Sequence, residues 1–440
     1  MVPLFVWSEP DVPRRQQQWV TGAASRWWLH YSLLALKQSL EKLGARLIVR
    51  RGPALDVLRD LIEQTGATLV CWNKLYEPAA LARDAAIAKA LQADEVSVEQ
   101  FNSTLLFEPG TLLNKQQLPY RVFTPFWRTV EAQLAMLPPP ARTPRKLPTV
   151  ERSLTSLTID ELSLLPKIRW DEGLAATWTP GESGALKQLR RFDRHASRYS
   201  SGRDRPDIEQ TSRLSPHLHF GEIGPRQLVT ALRPHDSYLR QIGWREFAHH
   251  LLFHFPETTD QPLDARFAKQ RWQRSPAQLE AWQRGLTGIP LVDAGMRELW
   301  RTGWMHNRVR MIVASWLTKN LQINWLSGAR WFWDTLVDAD LANNTLGWQW
   351  VAGCGADAAP YYRIFNPVLQ AKRFDPQRRY IRRWVPELAR LPDRWIHEPW
   401  AAPEAVLRRA GVQLGVTYPR PIVDLGESRR RALRVYSELI

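Results

Sequence analysis

The chain has 440 residues, enough for two or three domains, and its 44% hydrophobic and 24% charged residues exclude a wholly disordered protein. The longest apolar runs are far shorter than the roughly 20 residues of a membrane-spanning helix, and two cysteines exclude a disulfide framework. A formal charge of +16 favours a polyanionic partner, nucleic acid above all, although a generally basic proteome would give the same excess.

Short β-rich runs alternate with helical segments in the first hundred residues. The runs are Val2–Trp7, Arg46–Val49, Thr68–Trp72 and Val96–Val98. The helix predicted after the first run carries on one face Leu29, Leu33, Leu36, Leu40 and Leu43. Further helices are predicted through Leu58 and Leu61 and around Ala82–Leu91. This alternation predicts a Rossmann-like α/β domain with a parallel sheet, and no glycine-rich phosphate loop is present in it.

A proline-rich segment divides the chain. Five prolines lie between Leu137 and Val150 among threonines and basic residues, a composition that cannot continue a helix and is typical of a semi-rigid linker. From about Gly184 onward the periodicity is helical without a strand repeat, and 16 of the 22 tryptophans lie after position 166. We predict an α/β domain over residues 1–135, a linker over 136–165 and an all-α domain over 166–440.

A hydroxyl-rich stretch precedes a predicted helix start at Pro216. It runs from Thr211 to Ser215, with Tyr199 and two serines upstream. Because the N–H groups at a helix start are unpaired within the helix, such a stretch can bind a phosphate or pyrophosphate. Taken alone, it is more often a plain N-cap.

Polar residues interrupt an apolar helical run that follows Trp304. At helical spacing Asn307, Arg310 and Met311 share a face. An amide and a guanidinium on an otherwise apolar face need polar partners, which Asp338 or Asp340 could supply. A buried pair of Arg310 with Asp338 would also be compatible with architecture alone.

Seven segments of the chain occur in the order found in one protein family. They are Thr211–Pro216, Trp244–Phe247, Thr287–Met296, Gly303–Met311, Asp338–Trp350, Ala358–Pro367 and Trp384–Leu388. With them the chain resembles the photolyase/cryptochrome family over nearly its whole length, and it is most similar to the bacterial cyclobutane pyrimidine dimer photolyases. No single segment is decisive, but seven in register argue against coincidence.

The resemblance implies a light-driven DNA repair enzyme, a deoxyribodipyrimidine photo-lyase. Its α/β domain can hold a light-harvesting antenna, and its helical domain holds FAD, which is active in the reduced form. In the repair members an electron passes from excited reduced FAD to a dimer flipped out of UV-damaged DNA, the cyclobutane ring splits, and the electron returns. The alternatives are a cryptochrome-type blue-light photoreceptor without repair, a (6-4) photolyase, and a basic nucleic-acid-binding protein without flavin.

The resemblance also implies which residues hold FAD. They are Tyr199, Thr211, Ser212, Arg213, Leu214, Ser215, Asn307, Arg310, Asp338, Asp340 and Asn344. Arg310 and Asp338 would pair beside the flavin ring, and Asn344 would face its reactive central nitrogen. Plant cryptochromes tend to carry Asp at that last position, so Asn favours the fully reduced flavin of a repair enzyme.

Two further groups of residues follow from the resemblance. Trp348, Trp325 and Trp272 match the three-tryptophan chain that carries electrons to FAD during photoreduction, and with Asn344 they are the predicted catalytic residues. The predicted dimer and DNA contacts are Gln241, Trp244, Asn307, Arg308, Met311, Trp350 and Arg363. For any single tryptophan, core packing is the commoner role.

Three departures from the family pattern bear on the prediction. Many cyclobutane photolyases carry Glu where this chain has Gln241. The (6-4) photolyases often carry Gln there, but their paired histidines are not matched, so the cyclobutane assignment is retained. Val2–Trp7 resembles the family's second strand, so we expect that either the start codon is misassigned or the α/β domain lacks the family's first strand. Ala79 and Ala80 replace an Asn–Glu pair of folate-binding members, which leaves the antenna open among folate, a flavin, a deazaflavin or none.

No metal site is predicted. The histidines at issue are expected to be structural, because no cysteine or HExxH motif accompanies them; they are His217, His219, His249, His250 and His254. Since no secretory leader is evident, we expect a cytoplasmic monomer with no membrane partner.

Overall fold

The computed structural model describes residues 1–8, 19–151, 153–358 and 362–439, so residues 359–361 of the predicted Ala358–Pro367 segment lie outside the described residues. The strands are β1 Leu4–Trp7, β2 Ile48–Arg51, β3 Leu69–Asn73 and β4 Ser97–Phe101. The helices up to residue 254 are α1 Ala23–Lys42, α2 Ala54–Thr65, α3 Pro78–Ala93, α4 Phe123–Gln133, α5 Glu172–Thr177, α6 Glu182–Asp193, α7 Tyr199–Gly202, α8 Ser215–His219, α9 Pro225–Leu232 and α10 Asp236–His254. The later helices are α11 Pro276–Gln283, α12 Pro290–Thr302, α13 Asn307–Ser315, α14 Trp325–Thr335, α15 Leu341–Ala352, α16 Pro367–Phe374, α17 Arg379–Trp384, α18 Glu404–Ala410 and α19 Leu425–Ser437.

The chain forms two compact units, each assembled from segments that are distant in sequence. The first comprises Met1–Arg194, Ser212–Pro256 and Val337–Ala342. The second comprises His195–Thr211, Glu257–Leu336 and Asn343–Ile440. The domain limits expected at residues 135 and 165 stay a prediction.

The first unit contains two pairs of parallel strands. β1 pairs with β2, with Leu4 opposite Ile48, and β3 pairs with β4, with Leu69 opposite Ser97. Each strand overlaps the run that predicted it, so the predicted parallel α/β class is confirmed. Among the described residues the two pairs share no strand.

Helices α2 and α3 pack on the β3–β4 pair. Val70 and Trp72 of β3 and Leu58 and Ile62 of α2 pack against one buried cluster that includes Leu91 of α3. Leu58 and Ile62 are four residues apart, which places them on the same helix face. Helix α2 ends at Gly66, whose φ of +63° is a left-handed conformation that favours glycine.

The predicted leucine face of α1 is buried only in part. Leu33 is buried with Val49, whereas Leu36 is 46% exposed. Trp27 and Trp28 are fully buried on the same helix, and Trp27 donates Nε1 to Asp171 at 3.1 Å. The buried face is therefore set by the two indoles, which bury more area than leucine does.

The proline-rich segment and the residues that follow it pack against other parts of the first unit. The N–H of Leu147 donates to the carbonyl of Leu43, and the N–H of Leu157 donates to the carbonyl of Val49. Val150 and Leu154 are buried beside Ile48. Backbone hydrogen bonds and buried side chains thus hold this stretch against the end of α1 and against β2.

The second unit is built of helices, as predicted for the all-α half of the chain. Gly295 permits α12 and α13 to approach closely, because a Cβ there would lie 2.4 Å from Cγ1 of Val309. Buried Asp293 accepts hydrogen bonds from Thr287 and from the hydroxyl of Tyr418. Helix α13 continues into a π-helical turn, Trp316–Asn320, whose five residues are all buried. No helix within the described ranges is both long and apolar enough to cross a bilayer.

Candidate functional site

Ser215 and Asp338 lie together in the first unit. Ser215 begins α8, and its hydroxyl donates to Oδ2 of Asp338 at 2.6 Å. Asp338 is 8% exposed and lies in the segment that leads into α15. The structure therefore brings together two of the residues expected to contact FAD.

The loop before α8 is held by polar contacts. Tyr238 donates its hydroxyl to Oγ of Ser212 at 3.1 Å, and Gln188 donates to the carbonyl of Ser212 at 2.7 Å. Arg213 takes a φ of +51°, a conformation that a non-glycine residue adopts only where the surrounding structure imposes it. The side chain of Leu214 is fully buried. The loop is thus a fixed turn that carries short hydroxyl groups.

Asp340 lies between two imidazoles of the first unit. Its Oδ2 is 3.3 Å from Nε2 of His249 and 3.7 Å from Nδ1 of His219. Burial opposes ionisation of this carboxyl, but the imidazoles hold the pKa of Asp340 well below its ordinary value. Burial raises the pKa of Glu77, which interacts with the same groups. Asp340 is therefore an ionised acceptor, whereas burial makes ionisation of Glu77 less favourable.

Helix α13 carries three predicted contact residues on one side. The amide nitrogen of Asn307 lies 3.9 Å from the sulfur of Met311, one turn along. Arg310 donates Nε to the carbonyl of Met305 at 2.7 Å. The face expected from the spacing is present. The expected pair of Arg310 with Asp338 joins residues of different units and stays a prediction.

Helix α15 carries Asn344 and Trp348 at a spacing of one turn. The amide of Asn344 donates to the carbonyl of Ala329 on α14 at 3.0 Å. The Trp348 ring is 3% exposed and lies against Gly328, where a Cβ would be 2.1 Å from Cη2 of the indole. The two helices can pack this closely because residue 328 has no side chain.

Trp325 and Trp272 lie near the start of α14. Trp325 is its first residue, three positions before Gly328, and is 4% exposed. Trp272 is half-buried, and the N–H of its neighbour Gln273 donates to the carbonyl of Gln322 at 2.8 Å. This bond holds the Trp272 segment beside the residues that lead into α14. Exposure increases from Trp348 to Trp272, and their electron-carrying role stays a prediction.

Trp244 stacks face to face on Phe123. Their ring centroids are 3.7 Å apart and their planes differ by 8°. Arg240, one turn earlier on α10, places its guanidinium 4.9 Å from the centre of the same Phe123 ring. Gln241 donates Nε2 to the carbonyl of Ser237 at 3.3 Å. Trp244 is half-buried, so part of a rigidly backed indole is accessible.

Trp350 and Arg363 form a cation–aromatic pair in the second unit. The guanidinium lies 5.4 Å from the centre of the indole ring. Trp350 donates Nε1 to the carbonyl of Asp357 at 3.1 Å. Trp350 is half-buried and Arg363 is exposed, so the pair presents a positive charge at the protein surface.

Arg308, Tyr199 and Thr211 have less distinctive surroundings. Arg308 donates to Asp204 at 2.8 Å and lies 4.6 Å from the centre of the Phe374 ring. Asp204 therefore neutralises part of the charge of Arg308. Tyr199 is buried, which raises the pKa of its hydroxyl, and Thr211 is half-buried.

A cleft of about 570 Å³ lies in the first unit at the carboxyl end of β4. Phe101, Phe107 and Met136 line it with apolar surface. Arg226 adds a guanidinium whose Nε is buried and has no hydrogen-bond partner among the described residues. Ligands of parallel α/β sheets bind beyond the carboxyl ends of the strands. The cleft suits a flat, largely apolar group with an anionic part.

Comparison with known proteins relates both halves of the chain to one family. A family model described as DNA photolyase matches residues 1–146, and one described as FAD binding domain of DNA photolyase matches residues 238–438. A deoxyribodipyrimidine photo-lyase of Agrobacterium fabrum is 48% identical over 427 residues, which cover 94% of this chain and 89% of that protein. The chain belongs to the photolyase/cryptochrome family. The predicted family, fold class, FAD-binding domain and enzyme class, a photo-lyase, are therefore confirmed.

Both branches of the family are represented among the relatives. Cryptochrome-2 of Arabidopsis thaliana is 38% identical over 99% of this chain and 74% of that protein. The crystal structure of a bacterial class III photolyase from Agrobacterium tumefaciens matches with a TM-score of 0.95 at 46% identity, covering 100% of this chain and 92% of that one. The structure of an archaeal photolyase from Sulfolobus tokodaii, solved with two FAD molecules, matches with a TM-score of 0.82 at 28% identity. The match covers 99% of this chain and 93% of that one. The comparisons support DNA repair, but they do not identify the lesion that is repaired.

The predicted FAD-binding residues fit the cofactor by the chemistry of their donors and acceptors. The hydroxyls of Thr211 and Ser212 can donate to phosphate oxygens, whereas the Ser215 hydroxyl donates to Asp338; ionised Asp340 accepts O–H or N–H donors. The amide of Asn344 offers both a donor and an acceptor. Leu214 can contribute only its backbone, because its side chain is fully buried.

Two contacts of the candidate site could not be found from the sequence: that of Trp244 with Phe123, and that of Asp340 with two histidines. Phe123 carries no local sign that it stacks on Trp244. His219 and His249, expected to be structural, lie beside Asp340 because α8, α10 and the segment before α15 meet there. The one sequence signal that could have indicated this contact is a histidine that lies on a buried helix and has no evident partner nearby in the sequence.

Proposed function

We propose that the protein repairs UV-damaged DNA by splitting cyclobutane pyrimidine dimers with light. The observation that carries the proposal is helix α15, along which an amide at Asn344, a buried indole at Trp348 and a half-buried indole at Trp350 follow one another. A flavin contact, an electron donor and a lesion contact on one rigid helix are what a repair flavoprotein needs. The 48% identity with the photo-lyase of Agrobacterium fabrum supports the same conclusion.

FAD, when bound, supplies a light-excited electron to the dimer and regains it once the ring has split. The residues proposed to hold its phosphates and ribitol are Tyr199, Thr211, Ser212, Arg213, Leu214 and Ser215. Arg310, Asp338 and Asn344 orient the ring system, with Asn307 and Asp340 as further contacts. The imidazoles of His249 and His219 keep Asp340 ionised, so that it accepts a hydrogen bond and holds its donor in one orientation.

DNA binding is assigned to two aromatic side chains and the charges near them. Trp244, backed by Phe123, offers a rigid indole on which an extruded base can stack. Trp350 offers a second indole, and Arg363 beside it can bind a backbone phosphate. The remaining proposed contacts are Gln241, Asn307, Arg308 and Met311. The formal charge of +16 attracts DNA without regard to sequence.

Two accessory roles complete the proposal. Trp272, Trp325 and Trp348 pass an electron inward to FAD that has become oxidised. The cleft beside β4 is the proposed antenna site, since its apolar walls and Arg226 suit a flat anionic chromophore. The absorbance of the chromophore released from the denatured protein identifies it as folate, flavin or deazaflavin. The monomeric state and the cytoplasmic location stay predictions.

A blue-light photoreceptor without repair is the second candidate function. It is favoured by the 38% identity with cryptochrome-2 of Arabidopsis thaliana over nearly the whole chain. Asn344 argues against it, because the resemblance associates Asn at that position with repair flavins. Gln241 keeps (6-4) repair as a third candidate.

The deciding experiment illuminates the reduced protein with two damaged oligonucleotides. One carries a single cyclobutane thymine dimer and the other a single (6-4) photoproduct, and chromatography measures each lesion against dark controls. We expect light-dependent loss of the cyclobutane lesion alone. Repair of the (6-4) photoproduct instead would show that this lesion is the substrate. If the protein contains flavin but repairs neither lesion, the photoreceptor becomes the favoured function. Protein without flavin absorbance would contradict every light-driven function.

A further inference from the structure

A lysine is buried in the second unit. Lys319 belongs to the π-helical turn Trp316–Asn320 and is 1% exposed. Its Nζ donates to the carbonyl of Ala352 at 2.7 Å and lies 3.1 Å from the centre of the Tyr362 ring. Burying an amine costs free energy unless its N–H groups are paired. The position of Lys319 therefore points to a specific role for these two contacts.

The π-helical turn directs Lys319 inward. A π-turn accommodates one extra residue, which shifts successive side chains around the helix axis, and such turns are frequent at functional sites. In the same turn Thr318 donates to the carbonyl of Ala314 at 2.8 Å, within its own helix. Lys319, in contrast, reaches across to the last residue of α15. The turn thus serves to place an amine at the end of another helix.

The end of α15 is suited to receive that amine. The last carbonyls of a helix have no partner within it and carry partial negative charge. Gly353, the next residue, has a φ of +89°, and a Cβ there would lie 3.3 Å from both Nζ of Lys319 and the Tyr362 ring. Glycine at 353 therefore allows the amine, the Ala352 carbonyl and the aromatic ring to pack together.

This packing is continuous with two of the proposed DNA contacts. Trp350 lies two residues before Ala352 on α15, and Arg363 directly follows Tyr362. Lys319, Trp350, Tyr362 and Arg363 line one cavity of about 20 Å³, room for about one water molecule. Tyr362 also stacks on Tyr436, with centroids 4.2 Å apart.

The hydrogen bond from Lys319 to the Ala352 carbonyl does not depend on whether the amine is protonated. Burial lowers the pKa of this amine well below its ordinary value. An amine donates N–H to a carbonyl whether or not it carries the extra proton. Burial raises the pKa of the neighbouring Cys354 thiol to about 12, so no thiolate is present near neutral pH to compete for the amine.

We propose that Lys319 is a positioning residue that sets the Trp350–Arg363 pair for DNA binding. The proposal rests on the proposed function, because that function assigns Trp350 and Arg363 to DNA. Without the amine, the bridge from the Ala352 carbonyl to the Tyr362 ring is lost, and Arg363, the next residue, is held less firmly over Trp350. The contacts of Asn344, Trp348 and Trp325 do not involve Lys319 and are retained.

The test compares Lys319→Met, which keeps the side-chain length and removes the N–H donors, with Thr318→Val in the same turn. Four quantities are measured: FAD content, the rate of flavin photoreduction, the Kd for a dimer-containing duplex, and repair per absorbed photon at saturating duplex. For Lys319→Met we expect Kd to rise about tenfold, with the other three within about twofold of the unsubstituted protein. Thr318→Val should leave Kd unchanged.

An unchanged Kd in Lys319→Met overturns the proposal, and so does a parallel loss of FAD, photoreduction and DNA binding, which would indicate a merely structural role. Should the Met variant not fold, Lys319→Gln retains an N–H donor and is expected to show a smaller rise in Kd than Lys319→Ala.

Cleavage by trypsin after Arg363 gives a readout without DNA and should be faster in Lys319→Met than in Thr318→Val. If the unsubstituted protein neither binds nor repairs dimer-containing DNA, the proposed function fails, and the trypsin comparison still decides the role of Lys319.

Discussion

Single residues of the candidate site owe their properties to partners that are distant in sequence. Asp340 is ionised despite its burial because His249 and His219 approach it. Trp244 has one orientation because Phe123 lies 3.7 Å from it, centre to centre. Such environments, rather than residue type alone, determine whether a carboxyl or an indole can act in binding or electron transfer.

Trp348→Phe tests the proposed electron path at one residue. Phenylalanine keeps an aromatic ring against Gly328 but is much harder to oxidise than an indole. We expect photoreduction of oxidised FAD to slow on the order of tenfold or more, while repair by chemically reduced FAD stays within about twofold. Flavin absorbance during illumination and a repair assay on pre-reduced protein measure the two rates. Equal loss of both would contradict the electron-carrying role.

Arg363→Ala tests the proposed phosphate contact. The exposed guanidinium should release about one condensed cation when it binds DNA, so the slope of log K against log salt should become shallower by about one in the variant. Fluorescence anisotropy over a range of salt concentrations measures this slope. Arg383→Ala is the matched control, since Arg383 is also exposed and lies 5.1 Å from an indole, that of Trp384. An equal change of slope in both variants would contradict the assignment of Arg363 to a phosphate contact.

At the scale of elements, the packing of α14 against α15 positions the residues of the electron path. The Trp348 indole occupies the space that a side chain at 328 would fill. Asn344 makes a second contact between the same helices through the carbonyl of Ala329. The two helices therefore hold Asn344, Trp348 and Trp325 in fixed relation to one another.

Gly328→Ala tests this packing. The added methyl would overlap the indole, so we expect the free energy of unfolding to fall by about 1–3 kcal/mol and photoreduction to slow. Gly347→Ala is the control, because it lies in α15 where an added Cβ would meet no atom within 4 Å. It should raise stability by about 0.5–1 kcal/mol through helix propensity alone. Urea unfolding measures the stability of both variants. Equal stability of the two would show that α14 and α15 pack less tightly than the contact of Gly328 with Trp348 indicates.

The elements differ in how far local sequence predicts them. The four strands follow β-rich runs, and α2 and α3 follow helical spacing, so each appears close to its predicted place. The exposure of Leu36 was not predicted, because spacing indicates a common face without indicating which face is buried. The π-helical turn Trp316–Asn320 was not predicted either, because its residues are compatible with an ordinary α-helix.

At the scale of the whole molecule, histidines buried in each unit make stability depend on pH. Burial lowers the pKa of His250, in the first unit, and of His397, in the second, to about 4. In the unfolded chain histidine titrates near about 6.5. The unfolded state therefore binds protons that the native state excludes, so their contribution is complete above about pH 6.5 and is lost as pH falls toward 4.

His250→Gln should reduce this acid sensitivity. The side-chain oxygen of Gln can accept the hydrogen bond that Nε2 of His250 now accepts from the N–H of Tyr120 at 3.0 Å. We expect the loss of unfolding free energy between pH 7 and pH 4.5 to be smaller by about 2–3 kcal/mol than in the unsubstituted protein. Urea unfolding at both pH values measures the difference, and the pH 7 value controls for lost ring contacts. An unchanged pH dependence would show that His250 is protonated without unfolding.

The sequence by itself determined the α/β and all-α classes, the approximate places of the strands and the family. Strand runs, helical spacing and the order of motifs are properties of residues near one another in the chain, and net charge is a simple sum. The roles proposed for FAD and DNA contacts come from the resemblance. Only the tertiary structure decided which side chains meet: Ser215 with Asp338, Phe123 with Trp244, and Lys319 with Ala352. Each of these contacts joins residues of separate elements, and a local pattern holds no information about a partner that folding alone brings near.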